Sequence, residues 1–419
     1  MKRFFFCEQA LILAEAGWLA SIPQFDIKTL VPRFLWEDAM VGNALRERVF
    51  ELHYPSRLMI LGDDSALISV MQQAINAPSA EAFILSLAKV FKPAFLKAYQ
   101  QYLDEVDEIA DGPSLRFMRS AVEDKTLQIS ILDQFASEML TMAPEKREQA
   151  EQWCATIAAQ LEAVGGLTLM TPNTTTPDLS ALDKVGRTPF VLAELPARDA
   201  RFFQCRFYWP DVVDPNFPYG EGMELQLRSA ISHINEVWAV EAAGAGLHAF
   251  SEELGWEFTF EAARWCYDEA RHARMGWDRL QRWGFAPAEI PLGRYIYDSG
   301  RPHGALYLLA MLAYFETKNI GKKNQRARAF AEYQDSTSQH DMEFDWADET
   351  IHASYGAKWL EALRTARPDD VPDFDEIRKR CNQYVADMVT TCTEQERDAI
   401  RVVANALKHK AEQLASANN

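Results

Sequence analysis

The sequence predicts an all-α protein of 419 residues. Three observations predict it. Apolar residues recur at helical spacing almost throughout, and no strand-like alternation stands out. Pro, Gly and Asp signals divide the chain into helix-length pieces. Two copies of one pattern, Asp268-Glu269-Ala270-Arg271-His272 and Asp348-Glu349-Thr350-Ile351-His352, each set a Glu and a His three positions apart. That spacing brings both side chains to one face only on a helix.

Taken in order, helices are expected around 4–20, 35–52, 64–76, 80–108, 113–140 and 144–164. Together they form an N-terminal helical domain, residues 1–165. Its opening, Met1-Lys2-Arg3-Phe4-Phe5-Phe6, starts like a signal peptide, but Glu8 and Glu15 interrupt the apolar stretch and favour an amphipathic helix. Residues 166–222 are the least regular part, with Pro172, Pro177, Pro210, Pro215 and Pro218. A connection that long usually serves a function or wraps a neighbouring surface. Four long helices follow, near 223–250, 256–284, 303–333 and 335–364, and make up a bundle over 223–365. After the break at Pro368 to Pro372 come the C-terminal helices, 366–419, the last opening on the capping box Thr393-Glu394-Gln395-Glu396.

Composition narrows the function. With 43 Lys and Arg against 61 Asp and Glu, the formal charge of -18 would repel a phosphate backbone, and no basic run offsets it; no nucleic-acid partner is expected. The six cysteines show no Cys-x-x-Cys spacing, which points to reduced thiols and a cytoplasmic location. No stretch is long and apolar enough to predict a membrane span.

The chemistry concentrates in the four long helices. Glu316 closes the apolar run Ala305 to Phe315, where a carboxylate must neutralise, pair with a cation or bind a metal. It precedes Glu349 by 33 residues, and Glu236 precedes Glu269 by the same 33. The result is Glu, Glu-x-x-His, Glu, Glu-x-x-His, with Glu236, Glu269, His272, Glu316, Glu349 and His352 as candidate metal ligands. This is the ligand set of a di-iron or di-manganese carboxylate site between helices. Glu241, in a more apolar setting, competes with Glu236 for the first position; five residues turn a helix by about 140°, so the two do not share one face. Asp345, one turn before Glu349, is a further ligand, a partner of one, or a solvated acid. Trp265, Tyr267, Tyr314 and Phe315 flank ligands at helical spacing, which fits core packing first and a substrate-pocket or electron-relay role second.

Over roughly residues 223 to 365 the sequence resembles the ferritin-like superfamily. Glu236-x-x-Ala239-x-Glu241, Asp268-Glu269-Ala270-Arg271-His272 and Asp348-Glu349-x-x-His352 with Gly356 and Trp359 are similar to a bacterial ferritin-like family of unknown function. The same motif resembles the metal helices of bacterial multicomponent monooxygenases. There, the Asp before each ligand Glu holds the ligand His of the opposite helix, which implies that Asp268 orients His352 and Asp348 orients His272. In arylamine N-oxygenases of the superfamily a position comparable to Asp345 carries an extra His ligand. The resemblance implies a four-helix bundle holding two iron ions, with manganese or a mixed pair as alternatives. It also implies a dioxygen-dependent oxidase or oxygenase of a small organic substrate, by N-oxygenation or hydroxylation of an amine or amino-acid derivative, with an external electron donor, in a monomer or homodimer. The alternative from another class is an iron-oxidising or metal-handling protein without an organic substrate. Storage ferritins are short single bundles, whereas this chain carries some 200 residues before its bundle. Transfer RNA or lipid modification fits the acidic charge and lack of a membrane segment poorly. The N-terminal helices are an unrelated accessory domain or a second bundle without metal; in the latter case Arg119, Glu123, Asp124 and Leu127 align with Arg264, Asp268, Glu269 and His272.

Overall fold

The computed structural model describes residues 1–171 and 174–417. The chain is helical almost throughout, and its described residues separate into two compact units: Met1–Trp18 with Arg33–Leu192, and Leu19–Pro32 with Ala193–Asn419. Pro172 and Asn173, in the irregular segment, lie outside the described residues.

The first unit holds α1 (Lys2–Trp18), most of α2 (Phe25–Leu52), α3 (Ser65–Met71), α4 (Ala80–Ser86), α5 (Lys92–Glu105), α6 (Gly112–Met142), α7 (Arg147–Ala163) and the single turn α8 (Ser180–Asp183). A π-helical turn, Leu87–Phe91, joins α4 to α5, so the expected helix over 80–108 runs nearly whole. The expectation that α1 is amphipathic is overturned. Glu8 and Glu15 are both fully buried, because cations from other helices meet them. Lys125 Nζ lies 2.9 Å from Glu8 and 2.6 Å from Asp38, while Lys92 Nζ lies 2.6 Å from Glu15 and also pairs with Asp38. Gln128 donates to the same Asp38 at 3.1 Å. The alignment of Leu127 with a ligand position also fails: Leu127 is 44 % exposed, and the inward positions of α6 are Lys125 and Gln128.

The second unit contains a two-residue parallel pair, β1 (Phe203–Gln204) with β2 (Pro291–Leu292), and the helices α9 (Pro210–Val213), α10 (Met223–Ile234), α11 (Val237–Arg282), α12 (Tyr295–Gly300), α13 (Ala305–Glu332), α14 (Ser336–Ala366), α15 (Phe374–Thr390) and α16 (Glu394–Ala417). α11 packs on α10, α13 and α14, and α13 lies along α14. Two breaks shape this group. Gly255, at φ 79°, interrupts α11 where the sequence places a helix boundary; only glycine adopts that conformation without strain. The helix expected over 223–250 is broken at Asn235 and Glu236. At Gly356 the two helices α13 and α14 come so close that a Cβ would lie 2.6 Å from that of Ala313. The capping box is present: Thr393 Oγ1 accepts from Glu396 N at 3.2 Å, and Glu396 accepts from Thr393 N at 2.9 Å. No helix among the described residues is long and apolar enough to cross a membrane.

Candidate metal centre

The acids of the site come from the inward faces of three helices and from the break between α10 and α11. On α11, Trp265, Asp268, Glu269 and His272 fall at successive turns of one face, and on α14 Asp345, Asp348, Glu349 and His352 repeat that spacing. Glu316 and Lys323, two turns apart, come from α13. Glu236 comes from the break between α10 and α11, which Asn235 fixes. Its side chain donates to Ile231 O at 2.8 Å and Pro291 O at 2.9 Å, and accepts from Gly293 N at 2.6 Å.

These elements bring all six candidate ligands together. Glu236, Glu269 and His272 present ligand atoms within 4.8 Å of one another; so do Glu269, Glu316 and His352, and His272, Asp345 and Glu349. Glu269 belongs to the first two sets and therefore stands between them. His272 Nδ1 lies 3.4 Å from Glu236 Oε2 and 3.6 Å from Glu269 Oε2, and His352 Nδ1 lies 3.2 Å from Glu269 Oε1 and 3.6 Å from Glu316 Oε1.

The far side of each imidazole meets an aspartate from the opposite helix. His272 Nε2 is 3.2 Å from Asp348 Oδ2, and His352 Nε2 is 3.4 Å from Asp268 Oδ2. Arg271 joins the two aspartates, donating to Asp268 at 2.6 Å and to Asp348 at 2.9 Å. Arg264 adds a second donor to Asp268 at 2.7 Å. With a carboxylate on each Nε2, the Nδ1 atoms are left to face the cluster.

Sequence reasoning missed three contributors. Lys323, fully enclosed, reaches Asp345 Oδ1 at 2.5 Å and Glu349 Oε1 at 2.7 Å. His233 donates from Nε2 to Asp345 Oδ2 at 2.9 Å while its Nδ1 accepts from Arg279, so both ring nitrogens are engaged and neither is left for a metal. Trp265, expected as core packing, donates its indole N–H to Glu269 Oε1 at 3.0 Å and lies 3.3 Å from Glu316 Oε1. A basic side chain and an indole carry no ligand spacing that would single them out along the chain. Asp345 is wholly buried and paired with His233 and Lys323, not solvated. Glu241 is equally buried but lies elsewhere, held by Lys28 and Arg198.

The donor set fits two divalent ions. Five carboxylates (Glu236, Glu269, Glu316, Glu349 and Asp345) and one ammonium leave, when all are ionised, four negative charges, which two dications would balance. The hydrogen bonding points the same way: Glu236 Oε2, His272 Nδ1 and His352 Nδ1 are buried and have no hydrogen-bond partner. Orphaned buried polar atoms are rare and call for an occupant. Without one, the charges strain against each other. Burial, then the carboxylates of Glu349 and Glu269, push the Glu316 carboxyl well above its ordinary range. Burial opposes a charged His352, yet Asp268 and Glu269 outweigh it and raise the imidazole to about 9. Burial likewise opposes the charge on Glu269, but both histidines hold its carboxyl below the usual range.

A cavity of about 220 Å³ adjoins the cluster, reaching Glu236, Glu269, Glu316 and Glu349, with Trp238 and Phe315 among its apolar walls.

Residues 194–400 match the model of a family described as a protein of unknown function, DUF455. The matched span contains every residue of the cluster. No curated protein and no solved structure matches the chain.

Proposed function

We propose that the second unit is a ferritin-like bundle holding two iron ions, and that the protein is a dioxygen-dependent oxidase or oxygenase of a small organic molecule. One observation carries the reading: two histidines with orphaned Nδ1 atoms flank a shared Glu269, each anchored through Nε2 by an aspartate of the facing helix. Glu236, Glu269 and His272 would hold one metal and Glu269, Glu316 and His352 the other, with Glu349 and Asp345, grouped with His272, as further donors. Manganese or a mixed pair satisfies the same oxygen-rich donors, whereas zinc prefers more nitrogen or sulfur.

When bound, two reduced irons supply the electrons that activate dioxygen. The chain's residues set the conditions for that chemistry. Asp268 and Asp348 hold the two imidazoles in the tautomer that leaves Nδ1 free. Lys323 supplies a countercharge to both Asp345 and Glu349, holding the Asp345 carboxyl well below its ordinary range against burial, whereas burial still raises that of Glu349. Trp265 fixes Glu269 against Glu316, and Trp238 and Phe315 exclude water from the side where a substrate enters. The cavity beside the acids is what supports an organic substrate over simple iron handling. An external electron donor would restore the reduced state.

Titrating Fe(II) into the protein in air tests this reading. Uptake should stop near two irons per chain, in a particle the size of a monomer or dimer. Continued oxidation into a large assembly with a mineral core would overturn it in favour of iron storage.

A further inference from the structure

The cavity's outer part differs sharply from its acidic floor. Arg228, Lys318, Lys322 and Arg326 line it against a single carboxylate, Asp211, in a chain whose net charge is -18. Lys318, Lys322 and Arg326 recur every four residues on α13, so they form one wall. Arg228 faces them from α10 and is only 6 % exposed. Its Nε and Nη2 donate to Asp211, each at 3.1 Å, which leaves Nη1 buried without any acceptor. Aromatic rings hold the guanidinium in place: it lies 5.5 Å from the Tyr208 ring and 5.4 Å from that of Tyr219. Tyr219 in turn bonds Arg326 through its hydroxyl. A fixed, buried guanidinium N–H with no partner, inside a cavity of matching charge, is a receptor for an anion.

We propose that this cavity binds a small organic anion, its carboxylate or phosphate group seated on Arg228 Nη1 between Lys322 and Arg326. Arg228, Trp238, Phe315 and the acids Glu236, Glu269, Glu316 and Glu349 line one and the same cavity, so the rest of the ligand extends past Trp238 and Phe315 toward the carboxylate cluster. An amine lacking an acid group would meet four cations at the mouth, with Asp211 already paired to Arg228; an amino-acid derivative or another acid meets opposite charge. The clustered cations also draw anions in against the field of an acidic protein. This assignment deepens the proposed oxygenase reading by naming its substrate class, and its binding test is separate from that of the metal.

Calorimetric titration of the metal-free protein with benzoate, phenyl phosphate, inorganic phosphate and the neutral benzamide provides the test. Benzoate or phenyl phosphate should bind, about tenfold or more tightly than benzamide, and more weakly as salt rises. Arg228→Gln should weaken binding about tenfold. Should that variant not fold, Lys322→Gln and Arg326→Gln, at less buried positions, carry the test with losses of about threefold or more. Equal binding of benzoate and benzamide, binding unchanged in all folded variants, or no binding of any anionic probe at millimolar concentration would overturn the proposal. A protein that takes up two irons yet fails here keeps its metal reading and loses the anion site; the reverse result separates the two the other way.

Discussion

Asp268 on α11 lies 3.4 Å from His352 Nε2 on α14, and it accepts at the same time from Arg264 and Arg271. Its charge is thus fixed in place behind a residue that faces the carboxylate cluster with its other nitrogen. Asp348 does the same for His272 from the opposite direction, so each helix orients the imidazole of the other.

Removing that support should weaken metal binding without abolishing it. Asp268→Asn is expected to lower Fe(II) affinity by about 10–100-fold, with the helical content unchanged, measured by competition with a chelator. Affinity equal to that of the unaltered protein would deny Asp268 an orienting role.

Metal uptake should release protons. In the metal-free protein, burial disfavours the imidazolium of His352, but Asp268 and Glu269 prevail and raise it to about 9, so below that value the ring is doubly protonated. A metal must displace the Nδ1 proton, and apparent affinity should therefore rise with pH up to about 9. Calorimetry in two buffers of different ionisation enthalpy should register at least one proton released per protein. An affinity independent of pH between about 6 and 8 would contradict this.

Glu241 should matter for stability and not for metal. It is fully buried with Lys28 and Arg198, and taking one partner from such a group leaves uncompensated charge at a cost of about 3–5 kcal/mol. Glu241→Gln is expected to lower the unfolding temperature clearly while metal stoichiometry stays that of the parent. Glu236→Gln should do the opposite. Loss of metal in the Glu241 variant alone would exchange the two assignments.

The six residues that cluster were legible because they rest on spacing, three positions within a helix and thirty-three between helices, although the helix expected to carry Glu236 is broken at that residue. Between Glu236 and Glu241 the matched spacing favoured Glu236 but left the choice open; it is the position of Glu241 against Lys28 and Arg198 that sets it apart from the cluster. Interactions across helices were not legible. Nothing beside Lys323 in the chain indicates that its ammonium meets Asp345 and Glu349, and nothing near Asn235 shows that its side chain would bond Pro291 and Gly293 and break the helix before Glu236. Glu8 and Glu15 misled for a related cause. Acids interrupting an apolar stretch indicate a solvated face unless Lys92 and Lys125, about a hundred residues away, are known to meet them.

That buried network makes the first unit sensitive to pH. Burial, opposed in part by the lysines, raises Glu8 and Glu15 from their ordinary 4.5 to about 7. Between those values the folded chain holds protons that the unfolded chain has lost, so their contribution to stability is full below 4.5 and disappears as pH climbs through 7. The stability of the parent protein relative to Glu15→Gln should therefore fall between about pH 5 and 8 in denaturant titrations. A difference that grows with pH over that range would reverse the sign and rule out the assignment.

The central claim is that Glu269 serves two metals at once. Fe(II) bound per chain, measured anaerobically after removal of free metal, tests it most directly. The parent protein should hold about two. Glu269→Ala should fall below one, because both ligand sets lose a member, and His352→Ala should lose the metal on its own side. Two irons retained in both variants would contradict the site.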